Sequence, residues 1–485
     1  MNRFFSFGSI VAIFLFLIAF TPDVSNAMIA DQVQPDSIGK LPDIFIIHQI
    51  EITGNTITKK GIILRELKFR EHDTISPAQF SEMLTISKQN IFNTRLFNFV
   101  TIDTSVMADL HSLIVKIALV ERWYIWPIPF FEISDRNFNV WWETRDFNRL
   151  TYGIDFTFFN ARGRNETLKI MTHFGYNQKF GFAYKIPYIN RKQTLGIGYG
   201  AAAELNHELP VYTINNKPVY IRNNSTYLKK LFNGLVELNI RPDFFTTHTF
   251  RVGYSYYNFD SAIRSIPGYA MLNQNVQQFF SFSYFYKNDH RDVQFYPLNG
   301  YYLDVEVSHA VPYATAHNSY FRINVRKYTQ IYNRWFCASG FTGKLSFEKS
   351  QPYYLQRGLG YGRDFVRGYE YYVIDGQHFA LLKNNLKFAL LPQRTETIGF
   401  IKTTKFNTIP LALYLNAFVD MGFVYHYSGN PTDVYFTSNT LENSFLIGYG
   451  IGVDFTTYYD IVIRVEGSMN RMNQPGLYLH FIAPI

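Results

Sequence analysis

Several stretches of this 485-residue chain carry residue types that could do chemistry. GIGYG (Gly196 to Gly200) and GYGIG (Gly448 to Gly452) have the glycine density of a phosphate-cradling loop. Such a loop needs a strand before it and a helix after it, so that backbone N–H groups and the helix N-terminus meet the phosphates. Here the glycines alternate with Ile and Tyr at the period of a strand, so they read as small residues on one strand face. The twelve histidines include no HExxH and no close ligand pair, the spacings a zinc site would show. No GxSxG elbow or matched Ser/His/Asp set occurs. Asp304 and Glu306 stand two apart in a strand pattern, share one face, and read as lining or bracing groups rather than an acid–base couple. The reading is of a protein that is not an enzyme and needs no cofactor, nucleotide or metal.

The elements that hold these residues begin with an exported N-terminus. MNR precedes an uncharged apolar run, Phe4 to Phe20, and then TPDVSNA. Ser25 and Ala27 occupy the −3 and −1 positions of a signal-peptidase site, predicting a signal peptide over 1–27 and a mature chain from Met28. A retained anchor is the alternative; no Cys follows the run, which argues against a lipoprotein. The mature chain has one cysteine, Cys337, so it forms no intrachain disulfide. It has no second apolar run of about 18 residues, so no helical span. Lys plus Arg exceed Asp plus Glu by 46 − 38 = 8, but the basic residues are scattered singly, which excludes a nucleic-acid patch.

After a linker over 28–42, residues 43–121 read as a small α+β domain of order β-α-α-β-β. IIHQIEIT is a strand ending at Gly54-Asn55. A helix is expected from about Lys59 to Lys68, with Ile63, Leu64 and Leu67 on one face. A second is announced by Ser76 as N-cap, Pro77 at the first position and Gln79 as a capping-box partner. Two strands follow, LFNFVTIDT and HSLIVKIALVE.

Residues 122–485 have strand period, regular from Phe138 onward. In LIGYGIGVDF, Ile447, Tyr449, Ile451, Val453 and Phe455 share one face, and Gly448, Gly450, Gly452 and Asp454 the other. FFSFSYFY and YLDVEVS repeat the pattern. Aromatics reach 18% and charged residues only 17%. A soluble sandwich turns its polar face outward. An aromatic face opposed to a small, charged one suits lipid outside and a wet lumen inside. About sixteen segments of roughly ten residues, with alternately short and long connections, predict a mainly β protein whose body is an antiparallel transmembrane β-barrel. A soluble all-β array is the alternative.

One connection is unusual. RGLGYGRDFVRGYEYYVIDG, Arg357 to Gly376, packs five glycines, three arginines and five aromatics between two strand patterns. A small α+β unit before a barrel resembles a POTRA domain, and the mature chain resembles the BamA-type outer-membrane assembly and translocation superfamily. NARGRNE (Asn160 to Glu166) is similar to the family's N-x-x-G-x-G turn. HRDVQFYPLNG, with Asp292, Pro297 and Gly300, is similar to its D-x-x-x-x-P-x-x-G periplasmic turn. VRGYE, with Arg367, Gly368 and Tyr369, resembles the RG[FY] loop motif, and AFVDMGFV, with Asp420, the F-x-D-x-G strand.

The resemblance implies a 16-stranded barrel in the outer membrane of a Gram-negative-type cell, with one POTRA-like domain in the periplasm. It implies that the long loop folds back into the lumen, where Arg367 meets Asp420 and Tyr369 packs on the inner wall. The family usually adds an acid on the next strand, where this chain offers Asn385 and Lys387. The C-terminal strand, LYLHFIAPI, places Phe481 four residues before the end rather than closing on an aromatic. A POTRA strand edge at Phe97, Phe99 and Thr101 is the expected docking edge for an extended client. The first barrel strand is expected near Phe138 to Thr144 and the last over Gly476 to Ile485, with Pro484 weakening their seam.

The function so implied is assembly: assisting insertion or translocation of unfolded polypeptide clients at the outer-membrane lipid, with periplasmic chaperones or lipoproteins as further partners. A two-partner-type secretion pore and a structural or accessory barrel are the alternatives. A passive solute porin needs neither the N-terminal domain nor the loop.

Overall fold

A strand with aromatic residues on one face and glycine, serine or acid on the other cannot bury both faces in one core, and closure of the sheet separates them. The computed structural model describes residues 44–481 apart from 109–110, 134–148, 271–273, 313–317, 400 and 428–437. Sixteen antiparallel strands, from Ile125–Ile133 to Pro475–His480, each pair with the next in the chain. The hairpin Glu208–Ile214 and Lys217–Arg222 stands outside this β-barrel sheet. In Phe445–Thr456 the odd face is the more exposed, with Ile451 72% accessible, while Asp454 on the other face is fully buried. Phe280 and Phe282 likewise face outward. Asp304 and Glu306 brace the inner wall, accepting from Asn324 Nδ2 (3.0 Å) and the Tyr320 hydroxyl (3.0 Å).

The first barrel strand is Ile125–Ile133, earlier than expected. Its sequence, IWPIPFFEI, breaks regular alternation with Pro127 and Pro129, which hid it from a reading based on periodicity. The expected strand at Phe138 to Thr144, the predicted signal peptide and linker, and Pro484 lie outside the described residues.

The N-terminal domain is a mixed sheet of Phe45–Thr53 (β1), Thr74–Ile75 (β2), Phe97–Val106 (β3) and Ser112–Glu121 (β4), in the order β2-β1-β4-β3. β1 runs parallel to β4 and β3 antiparallel to it. Lys60–Leu64 (α1) and Pro77–Asn93 (α2) supply the helices. Ile47, Ile63, Phe69, Ile91, Phe97 and Val115 form the buried core between them. α1 is shorter than expected at both ends, because Glu66 and Leu67 turn away in tighter bonds to Ile63 and Leu64. Ser76 and Pro77 hold the N-cap and first positions of α2, but no side chain caps the helix, so the capping box does not form.

Candidate functional site

The loop between Trp335–Ser346 and His378–Thr397 is folded into the barrel, and its centre is Arg367. Both Arg367 and Asp420 are fully buried. Arg367 donates from Nε to Asp420 Oδ2 (2.8 Å) and from Nη2 to Oδ1 (2.5 Å), a bidentate pair, and its backbone N–H also reaches Oδ2 (3.2 Å). Its third nitrogen, Nη1, donates to Asn385 Oδ1 at 2.8 Å. The guanidinium lies 3.8 Å from the centre of the Phe418 ring, which desolvates it while offering a cation–π contact. Asn385, on the strand where the family usually adds an acid, thus takes the third nitrogen, leaving Asp420 as the one carboxylate bonded to this cation among the described residues.

The loop can approach so closely because of glycine on the wall. A Cβ at Gly448 would stand 1.7 Å from the carbonyl oxygen of Arg367, so any side chain there would expel the loop. Gly368 has φ +91° and gives its carbonyl to Asn470 Nδ2 (2.9 Å). Tyr369 is buried in an apolar cluster with Val366, Leu359 and Leu446, and its hydroxyl accepts the N–H of Arg471 (3.2 Å).

A second buried ion pair lies beside the first. Arg464 donates to both oxygens of Asp454 at 2.5 Å. The Tyr296 hydroxyl donates to Asp454 Oδ2 (2.7 Å). Oriented to satisfy its neighbours, the Asn416 amide donates to Asn385 Oδ1 (3.1 Å) and accepts from Arg464 Nη2 (3.0 Å), joining the two pairs. The sequence signal for Arg464 and Glu466 was present: they stand two apart in VIRVEG, as Asp304 and Glu306 do. It carried no motif and was missed. Lys387 is fully buried, with Nζ 4.2 Å over the Tyr296 ring.

Tyr296 belongs to the turn carrying Asp292, Pro297 and Gly300. Asp292 Oδ1 accepts the N–H groups of Val293 (2.8 Å) and Leu298 (3.2 Å), folding the turn so that Tyr296 points up into the lumen. Burial pushes the Asp292 carboxyl above the ordinary aspartate range despite those bonds. The N-terminal domain grips the same turn: Asn93 at the end of α2 donates to the carbonyl of Asp292 (3.1 Å) and accepts from Gln294 (3.2 Å).

The domain touches five other turns at this end of the barrel. The Lys59 N–H bonds the Gly163 carbonyl (2.9 Å), where a Cβ on Gly163 would meet Ile57 O at 2.1 Å. Arg241 holds Glu66 with two bonds of 2.7 and 2.9 Å, and Arg65 lies against the Tyr188 ring at 4.1 Å. Asn98 donates to the Lys405 carbonyl (3.1 Å). Arg122 grips Asp460 through two bonds of 2.8 and 2.9 Å. None of these partners could be paired from sequence, since each joins residues far apart along the chain. At the junction of domain and barrel, Glu121 is buried and accepts from Thr56 and from the N–H groups of Ile57 and Thr58. Burial alone would raise its carboxyl, but these bonds outweigh it and hold it below the ordinary glutamate range.

β3 is an outer strand of its sheet. Phe97 is buried in the core, Phe99 half-buried and Thr101 exposed. A cavity of about 490 Å³ separates Phe99, Val100 and Thr101 from Val293 and Phe295 on the barrel rim.

Known proteins resemble the chain in both parts. A family model described as the Omp85 superfamily domain matches residues 160–457. A POTRA model described as a surface antigen variable number repeat matches residues 45–122. No curated protein matches the chain in sequence. Among solved structures, CdiB from Escherichia coli is 12% identical at a TM-score of 0.53, over 90% of this chain and 75% of that one. BamA from Haemophilus ducreyi lacking POTRA domains 1–3 is 14% identical at a TM-score of 0.49, over 90% and 83%.

Proposed function

The chain belongs to the Omp85 superfamily, as an outer-membrane β-barrel with a POTRA domain, and from that premise we propose that it assists insertion of other polypeptides into the outer membrane. In this reading the POTRA domain lies in the periplasm, and residues 1–27 are removed as a signal peptide. The observation that carries it is the seam. Among the described residues, no ladder joins the first strand, Ile125–Ile133, to the last, Pro475–His480. Pro127 and Pro129 have no N–H, and the ladder from Ile125–Ile133 to Leu150–Ala161 runs unbroken over all nine residues. Proline fits such a ladder where its N–H would face away from the partner. The outer edge of the first strand therefore lacks two of its donors.

A thinly bonded seam can part and offer an edge to a client strand. The driving free energy would come from the client, whose backbone groups lipid cannot satisfy until its own barrel closes. Arg367, Gly368, Tyr369 and Asp420 would hold the loop as an internal brace, and Asp292, Pro297 and Gly300 would pass the position of the POTRA domain to the lumen. The β3 edge, with Phe97, Phe99 and Thr101, would dock extended clients. Liposomes carrying the purified protein should speed folding of an urea-unfolded barrel client several-fold over empty liposomes; equal rates would end this reading.

A second reading, passage of an unfolded client through the lumen, is favoured by one feature. A polar cavity of about 1050 Å³, lined by Glu132, Lys179, Glu204, Glu208 and Arg222, occupies the half of the lumen nearest the first strands. In that reading release of an unfolded client to the far side would be the activity measured.

A further inference from the structure

We propose that Glu370, Glu466 and His480 form a site for one divalent metal ion of the zinc class, tying the inserted loop to the two strands that end the sheet. Glu370 lies three residues beyond Arg367, Glu466 on Val462–Asn470 and His480 at the end of Pro475–His480. His480 Nε2 is 3.2 Å from Glu466 Oε1 and 3.8 Å from Glu370 Oε1, and the three ligand atoms lie within 4.8 Å of one another. Ligands at about 2.0–2.2 Å around a tetrahedral zinc stand about 3.4 Å apart, so a small contraction completes the set. Imidazole with carboxylates suits zinc and its neighbours better than calcium or magnesium, which prefer oxygen alone.

The second observation is unmet hydrogen-bonding capacity on the same two carboxylates. The Glu466 side chain is fully buried, and its Oε2 has no hydrogen-bond partner. Glu370 uses Oε2 to accept the Gly368 N–H (2.8 Å), which fixes the side chain and leaves Oε1 buried and unpartnered toward His480. Buried carboxylate oxygens without partners are costly unless a cation or proton meets them. Arg464 meets that need only in part: its Nε and Nη2 bind Asp454 at 2.5 Å, and its unbonded Nη1 stands 3.9 Å from Glu466 Oε2, beyond hydrogen-bond reach. Glu370 and Glu466 thus flank one imidazole, a donor set that suits a metal ion. Phe365 stacks on His480 at 5.7 Å and limits the ring's orientation.

The inference does not depend on insertion or passage being the activity. It is tested on the tag-free full chain in detergent micelles, stripped with chelator and titrated with zinc alone. Calorimetry and metal analysis should find one equivalent of tightly bound zinc, with a rise in the temperature at which the barrel unfolds on heat-modifiable gels. Glu370→Gln, which retains the bond to Gly368, and His480→Gln should each weaken binding by more than about tenfold, the loss that even an outer-shell partner can cause. Cobalt in place of zinc should give visible absorption bands of a four-coordinate N/O site in the wild type, a readout that needs no variant to fold. Failure of the wild type to take up one equivalent overturns the proposal, as it would if the three groups only share a proton. Undiminished uptake in both folded variants overturns it equally, by placing the ion on other histidines.

Discussion

Arg367 and Asp420 have no access to water, so removing either leaves a buried charge with no solvent to replace its partner. Breaking such a pair costs about 3–5 kcal/mol. Arg367→Ala and Asp420→Ala should each lower the unfolding temperature of the barrel, and Asp420→Ala should cost more than Asn385→Ala, which removes one neutral acceptor. The double variant should be no worse than the poorer single, since one interaction is lost only once; additive losses would mean that the two act separately. Glu121 gives a pH test. Its carboxyl is held below the ordinary range in the fold, so it contributes stability above its unfolded value of about 4.3, and that stability is lost as pH falls through the lower folded value. Glu121→Gln should make the N-terminal domain easier to digest at neutral pH and should flatten the acid dependence of its protease protection. An unchanged acid profile would show that other carboxylates govern it. Asp420 and Arg367 could be matched from sequence because a motif names both. Asp454 and Arg464 could not, although they sit opposite each other on adjoining strands.

Elements were legible where one period ruled. The alternation of glycine and aromatic residues located the strands from Leu150 onward, and Ser76-Pro77 located the start of α2. The reading failed where local rules were overridden. Helical spacing suggested that α1 would continue to Lys68, but Glu66 is drawn out to Arg241 on a barrel turn, and the helix ends at Leu64. Tertiary contacts of this kind leave no local trace, which is why the docking of domain to barrel stayed invisible. The docking is testable at the same scale. Glu66 is 1% exposed and makes two bonds to Arg241, so Glu66→Ala should loosen the domain by about 1–3 kcal/mol. Hydrogen exchange should rise in α1 and in the turn around Arg241, while the barrel keeps its gel migration. Exchange that rises throughout the barrel instead would make Glu66 a general fold determinant rather than a docking contact.

At the scale of the whole molecule, the barrel is braced at both ends and thin along one side. The inserted loop fills the lumen beside Asp420, the POTRA domain touches six turns at the near end, and the ion pairs of the wall face this plugged half. The last strand meets the loop through His480 and Tyr478, and the first meets the turn of Tyr459 through Trp126. Among the described residues, however, no ladder joins the two strands to each other. Pro127 and Pro129 remove donors from one edge, and Pro475 removes another from a last strand of six residues. With each hydrogen bond worth about 1 kcal/mol, a seam of a few bonds would part far more readily than the twelve-pair ladder between Lys229–Ile240 and Thr246–Phe259. The sequence suggested a weak seam from Pro484, whereas the described weakness lies in Pro127, Pro129 and Pro475. Cysteines at Ile128 or Phe131 paired with Leu477 or Leu479, in a Cys337→Ser background, should form a disulfide in the resting protein for at least one combination. Under the proposed insertion through an opened edge, locking that seam should abolish client insertion in liposomes, and reduction should restore it. Translocation through the lumen would be untouched by the lock. A locked protein that still inserts clients at the wild-type rate would remove the seam from the mechanism and move passage through the polar half of the lumen to the front.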